Sequence, residues 1–207
     1  MAEYPYKLYD YPDSGNGYKV RLILNHLQLA YSYQAVDILA GETRQADFLA
    51  LNPNGRIPVL QLADGTCLAE SNAILWYLGD TTHLVPTDRL QRARVLQWMF
   101  FEQYNHEPNI ATSRFILKHT EINEERQQAL DQKRPAGYAA LDVMEQHLAN
   151  NEFFVGEFSI ADIALFAYTH VAEEGGFKLA SYSAIQRWID AISSHPNHCP
   201  INTISQA

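Results

Sequence analysis

The chain has 207 residues, a length that admits one large domain or two small ones. Acidic side chains outnumber basic ones 24 to 15, and the formal net charge of −9 disfavours nucleic acids and anionic membrane surfaces as partners. Hydrophobic residues at 47% and aromatics at 12% are ample for a packed core and exclude disorder as the main state.

The first residues, MAEYPYKLYDYPDSG, carry neither the basic nor the apolar segment of a signal peptide. Two cysteines, Cys67 and Cys199, form no CxxC pair and cannot build a disulfide scaffold. The longest apolar run, residues 160–172, is about a dozen residues and holds Asp162 and His170, short of the roughly 20 that span a bilayer. A soluble, cytoplasmic protein of a reducing compartment is expected.

Residues 7–11 alternate and are β-prone, and the cluster from Pro12 to Gly17 breaks the strand. From Tyr18, the positions of Val20, Leu22, Ile23, Leu24, Leu27 and Leu29 predict a helix with one buried face. Residues 32–38 read as a second strand, and residues 43–51 as a short helix ended by Asn52-Pro53-Asn54-Gly55. Residues 57–62 and 67–69 flank Asp64-Gly65, a hairpin signal. A helix over 71–78 follows, with Ser71 suited to its N-cap. The order β-α-β-α-β-β-α predicts a small mixed sheet with helices on both faces.

Residues 79–88 are polar, contain Pro86 and predict a linker. Beyond them strand signals vanish, and residues 90–118, 124–150, 160–172 and 185–194 carry helical spacing. The first two of these runs are long enough to require bends, one of them at Pro108. The expected domains are an α/β domain over 1–80, a linker over 81–88 and an all-helical domain over 89–207.

Three short segments have chemical readings beside structural ones. Ser14 and Asn16 lie in the turn before the first helix. There they either cap it or donate hydrogen bonds to an anion such as a thiolate. Ile57-Pro58 is either an ordinary edge position or a cis bond that leaves the Ile57 backbone open to an extended peptide-like ligand. Glu70-Ser71 falls where a strand turns into a helix; it is either a cap or a seat for the charged groups of an amino acid.

Other features read as structural. Ser159 and Asp162 form a variant capping box before an apolar run. His195, His198 and Cys199 lack a fourth ligand and read as a solvated tail, so no metal site is expected. Arg89, Arg92 and Arg94 read as a solvated helix face or a dimer edge. The absence of GxGxxG and GxSxG argues against a dinucleotide fingerprint and an esterase elbow.

Taken together, YDYPDSGNGYKVRL, LNPNGRIPVL, ADGTCLAESNAILWYLG and FSIADIALFAYTH resemble the cytosolic glutathione S-transferase family over nearly the whole chain. The resemblance implies a thioredoxin-like first domain, an all-α second one, and usually a homodimer. It implies that Pro58 is the cis-proline, that the Ile57 backbone holds the cysteinyl part of glutathione, and that Glu70 and Ser71 bind its γ-glutamyl group. Arg56 matches a basic residue near the tripeptide backbone.

In tyrosine-type members the active hydroxyl lies two residues before the loop proline, a position held here by Asp10. Ser14 instead matches serine-type enzymes of the theta and delta kind, and SGNGYK is similar to the nu-class loop in which a threonine and an asparagine attend the thiol. On that match Ser14 and Asn16 share the catalytic role. Phe101, Tyr104, Asn105, Pro108 and Arg114 are the expected contacts of a second substrate between the domains. The implied reaction is transfer of the glutathione thiolate to a small hydrophobic electrophile, with glutathione as co-substrate and no metal or other cofactor. Glutathione-dependent disulfide or peroxide reduction, and a non-catalytic interaction module, stay open as alternatives.

Overall fold

The computed structural model describes residues 4–204; the first and last three residues, counted in the expected domains above, lie outside them. The chain forms two compact units: one runs up to Asp80 and also takes the chain from Pro196 onward, the other is Thr81–His195. This corrects the expected division at both ends of the helical domain. Leu84 and Val85, in the expected linker, are buried, and the Leu84 carbonyl accepts from Ile160 N–H at 3.1 Å within the second unit.

In the first unit β1 (Tyr6–Asp10), α1 (Gly15–His26), β2 (Ser32–Ala35), α2 (Ala46–Leu51), β3 (Val59–Leu62), β4 (Cys67–Ala69) and α3 (Ser71–Gly79) follow the expected order. The sheet runs β2-β1-β3-β4, with β1 and β2 parallel and the other neighbours antiparallel. Strand alternation sends Tyr9 and Val59 to one face, where they meet Phe48 and Leu51 of α2 together with Val36. Leu8 and Asp10 point to the other face, where Arg21 of α1 meets Asp10.

Several boundaries move for local reasons. The first helix begins at Gly15 rather than Tyr18, because Ser14 caps it. The second strand stops at Ala35, because Asp37 Oδ1 accepts from the N–H groups of Leu39 and Ala40 and turns the chain. The helix expected over 43–51 divides into a 3₁₀ turn, Glu42–Arg44, and α2.

The second unit holds α4 (Arg89–Phe101), α5 (Glu107–His119), α6 (Glu124–Leu148), α7 (Ile160–Thr169) and α8 (Ser183–Ser193). In the run expected to bend at Pro108, a π-helical segment, Glu102–His106, joins α4 to α5 just before the proline, which lies in the first turn of α5. The capping box forms as expected. Asp162 accepts from Ser159 N–H at 2.9 Å, and Ser159 Oγ accepts from Ala161 N–H at 3.3 Å. Trp188 Nε1 and Phe154 N–H also donate to Asp162, so one buried carboxylate ties α7, α8 and the loop before them together. Among the described residues no helix is long and apolar enough to cross a membrane.

Candidate functional site

The turn after β1 is built around Ser14. Its N–H donates to Tyr11 O at 2.8 Å, and its Oγ accepts from Gly17 N–H at 3.2 Å, which makes it the N-cap of α1. A capping hydroxyl uses a lone pair, so its proton can still be donated outward. Beside it lies the N-terminus of α1, the positive end of the helix dipole, where anions are favoured. Capping and donation to an anion are therefore chemically compatible at one atom.

Asn16 is joined to the second half of the site. Ser71 Oγ donates to Asn16 Oδ1 at 3.1 Å and accepts from Lys19 Nζ at 3.4 Å. Ser71 is the first residue of α3 rather than its N-cap. Glu70 holds the cap position at φ 68° and ψ 110°, a conformation that costs a non-glycine residue roughly 1–3 kcal/mol and clusters at binding sites. Glu70 is exposed while Ser71 is buried, so the pair presents an outward carboxylate above an inward hydroxyl.

The third part of the site is the segment before β3. The Ile57–Pro58 peptide bond is cis, as the resemblance implied. The antiparallel ladders begin at Val59, so the Ile57 backbone stands outside them. Asn52 shapes this loop. Its Nδ2 donates to Arg56 O at 2.7 Å, its Oδ1 accepts from Asn54 N–H, and its carbonyl accepts from Gly55 N–H. The Arg56 side chain is exposed.

Beneath the turn lies a buried carboxyl–guanidinium pair that sequence alone does not reveal. Asp10 and Arg21 are both fully buried, with Arg21 Nε 3.1 Å from Asp10 Oδ2. Burial pushes the Asp10 carboxyl up to about 7, against the opposing pull of Arg21. Tyr33 Oη lies 3.4 Å from the same carboxylate oxygen, and burial raises its phenol well above the usual range. Asp10 is thus a buried support for the turn.

The tail expected to be solvated is instead packed on α1. Tyr18 Oη donates to Cys199 O at 2.6 Å, Asn25 Nδ2 donates to Cys199 Sγ at 2.8 Å, and Arg21 Nη1 donates to Ile201 O at 2.5 Å. Two backbone carbonyls and one sulfur of the tail accept from these donors, which no periodicity in the tail itself reveals. Among the described residues no three metal-ligating side chains come together.

The expected second-substrate residues belong to the helical unit. Phe101 packs edge-on to Trp98, Tyr104 is 84% exposed, and Asn105 and Pro108 are exposed. Arg114 differs from the expectation of a substrate contact. It is buried, with Nε 2.7 Å from Glu174 Oε2, and serves the packing of α5. On sequence alone Lys19 has no site role, and Asn52 reads only as part of a turn. Lys19 lies three residues after Asn16 on the same face of α1, and that spacing is the signal that would have found it.

A thioredoxin-like sheet with a cis-proline before β3, followed by an all-helical unit, defines the class of protein. The chain belongs to the glutathione S-transferase family: the model of its N-terminal domain matches residues 14–81 and that of its C-terminal domain residues 98–196. The solved glutathione S-transferase of Pseudomonas fluorescens Pf-5 is 55% identical, with a TM-score of 0.93 over 95% of this chain and 98% of that one. A glutathione transferase of Burkholderia graminis, solved with two glutathione molecules per subunit, is 30% identical, with a TM-score of 0.82 over 93% of this chain and 85% of that one. The disulfide-bond oxidoreductase YfcG of Escherichia coli K12 is 32% identical, the match covering 87% of each chain. Elongation factor 1-gamma of Artemia salina is also 32% identical over 88% of this chain, which spans 43% of that protein's length.

Proposed function

We propose that the protein is a serine-type glutathione transferase that binds the tripeptide in its first unit. The observation that carries this reading is the hydrogen bond from Ser71 to Asn16, because it joins the turn suited to a thiolate to the helix end suited to the γ-glutamyl group. The α3 N-terminus would take the γ-glutamyl carboxylate and Glu70 its ammonium group. The Ile57 backbone would pair with the cysteinyl residue, and Arg56 would lie near the tripeptide backbone. Ser14, with Asn16, would donate to the sulfur and so favour the thiolate. The sulfur would then attack an electrophilic carbon and expel its leaving group, needing no resident cofactor because the reactive thiol is the co-substrate's own.

A second reading, reduction of a disulfide, is favoured by the nu-like SGNGYK loop and by the similarity to YfcG. There the thiolate would attack one sulfur of the substrate and expel the other as a thiolate. A second glutathione thiolate would attack the mixed disulfide, expel the remaining substrate thiolate and give glutathione disulfide. Both readings fit a cytoplasmic homodimer. The test is a thermal-shift titration with glutathione, followed by turnover of an aryl halide and of a small disulfide. Stabilisation with aryl-halide turnover supports conjugation; turnover of the disulfide alone supports reduction. Stabilisation without either turnover leaves a binding module, and no stabilisation at millimolar glutathione refutes the site.

A further inference from the structure

Lys19 carries a long, costly cation into the first unit, where its side chain is fully buried. Its amine points at Ser71 Oγ, 3.4 Å away, and Ser71 Oγ lies 3.1 Å from Asn16 Oδ1. An ammonium group can only donate hydrogen bonds, so Ser71 must be the acceptor from Lys19. The hydroxyl has one proton, and its hydrogen-bond geometry directs that proton to Asn16. The acceptor oxygen of the Asn16 amide is therefore turned towards Ser71. The two faces of an amide side chain are opposite in character, so the Asn16 NH₂ is turned away from Ser71.

We propose that Lys19 is a positioning residue, which acts through Ser71 to hold the Asn16 amide with its NH₂ group presented to the thiol of bound glutathione. This inference rests on the glutathione reading above and deepens it, because it assigns the direction of the donors in the site. Without the amine, the Ser71 hydroxyl is no longer oriented by it and can turn to accept from the Asn16 amide instead of donating to it. Asn16 can then turn over and present its oxygen, which repels a thiolate. A charged donor polarises the hydroxyl it binds and strengthens the next bond in the chain.

The experiment titrates the thiol of bound glutathione by its thiolate absorbance in the full-length wild type, Lys19→Met, Asn16→Ala and the double variant. Methionine keeps the length and apolar stem of lysine and removes its donors. Lys19→Met is expected to raise the bound-thiol pKa enough to lower the thiolate fraction near neutrality roughly five- to tenfold. In the Asn16→Ala background the same substitution is expected to move that pKa no further. An unmoved titration in a folded Lys19→Met protein overturns the proposal, as does an equal shift with and without Asn16. If Lys19→Met fails to fold, Ser71→Ala breaks the chain at its centre; its expected rise in thiol pKa must likewise vanish in the Asn16→Ala background, and persistence overturns the proposal. Wild-type protein that binds no glutathione refutes the glutathione reading and the proposal together, whereas bound thiolate unaffected by Lys19 or Ser71 refutes the proposal alone.

Discussion

The backbone of α1 at Gly17 rests directly on the carboxylate of Asp10: a Cβ added there would fall 1.5 Å from Oδ1. The contact places the start of α1, with Ser14 and Asn16, above the end of β1. Neither partner can yield, because Asp10 is held by Arg21 and buried. Gly17→Ala is therefore expected to destabilise by 3 kcal/mol or more, about the upper end for overpacking, and to weaken glutathione binding with it. Chemical denaturation beside a glutathione titration checks this, and near-wild-type stability would contradict it.

Asp10 also makes stability depend on pH. Its folded-state pKa, about 7, lies above the ordinary value of 3.8, so between these the native protein holds a proton that the unfolded chain has lost. Its contribution is fully present below pH 3.8 and disappears as the pH rises through about 7. Asp10→Asn is expected to flatten the fall in unfolding free energy across that window, whatever its effect on absolute stability. Denaturant titrations of both proteins at pH 4, 5.5 and 7.5 measure the difference, and parallel curves would show that Asp10 does not titrate there.

Arg21 and Tyr18 predict the role of the C-terminal segment. Removing the chain from Pro196 onward takes away the carbonyls of Cys199, Ile201 and Thr203 to which both side chains donate. Such a hydrogen bond is worth about 0.5–1.5 kcal/mol net, and about 1.5–3 where the donor is charged. The truncated protein should lose several kcal/mol by urea denaturation, while Tyr18→Phe, which removes only a donor, should lose about 1.

Ser14 is expected to show two separable effects. Ser14→Ala removes an N-cap, at about 1 kcal/mol of stability. On the proposed reading it also removes a thiolate donor and lowers kcat/KM for glutathione roughly tenfold or more, with the bound-thiol pKa raised. A fall in stability with an unchanged thiol titration would confine Ser14 to its cap.

Asp162 should be among the most sensitive positions of the helical unit. Asp162→Ala leaves the Ser159 and Phe154 N–H groups, Ser159 Oγ–H and Trp188 Nε1–H without their acceptor. The expected loss is several kcal/mol, against about 1 for Ser159→Ala. Comparable losses in the two variants would mean that Asp162 does no more than cap α7.

The local order of β1 to α3 was legible in the sequence because alternation, helical spacing and turn residues all act within a few positions. The capping box at Ser159 and Asp162 was legible for the same reason. Ser14, Asn16, Ile57, Pro58, Glu70 and Ser71 stood out because each sits where one element gives way to the next, at residue types that suit a turn, a proline bond or a helix start. What reached across the chain was not legible: Asp10 with Arg21, Lys19 with Ser71, Arg114 with Glu174, and Tyr18 with Cys199. A buried lysine and an exposed one look alike in sequence, since burial is decided by neighbours far along the chain.

The length and charge at the start allowed one domain or two and spoke only against polyanionic partners. The sequence by itself determined that the chain divides, since strand signals cease after the first eighty or so residues. Only the tertiary structure decided where the C-terminal segment belongs, because Tyr18 and Arg21 find its carbonyls across about 180 residues. It also decided what an acidic chain sets beside the proposed binding site for an anionic tripeptide: a buried Lys19 amine directed at Ser71, at the start of α3.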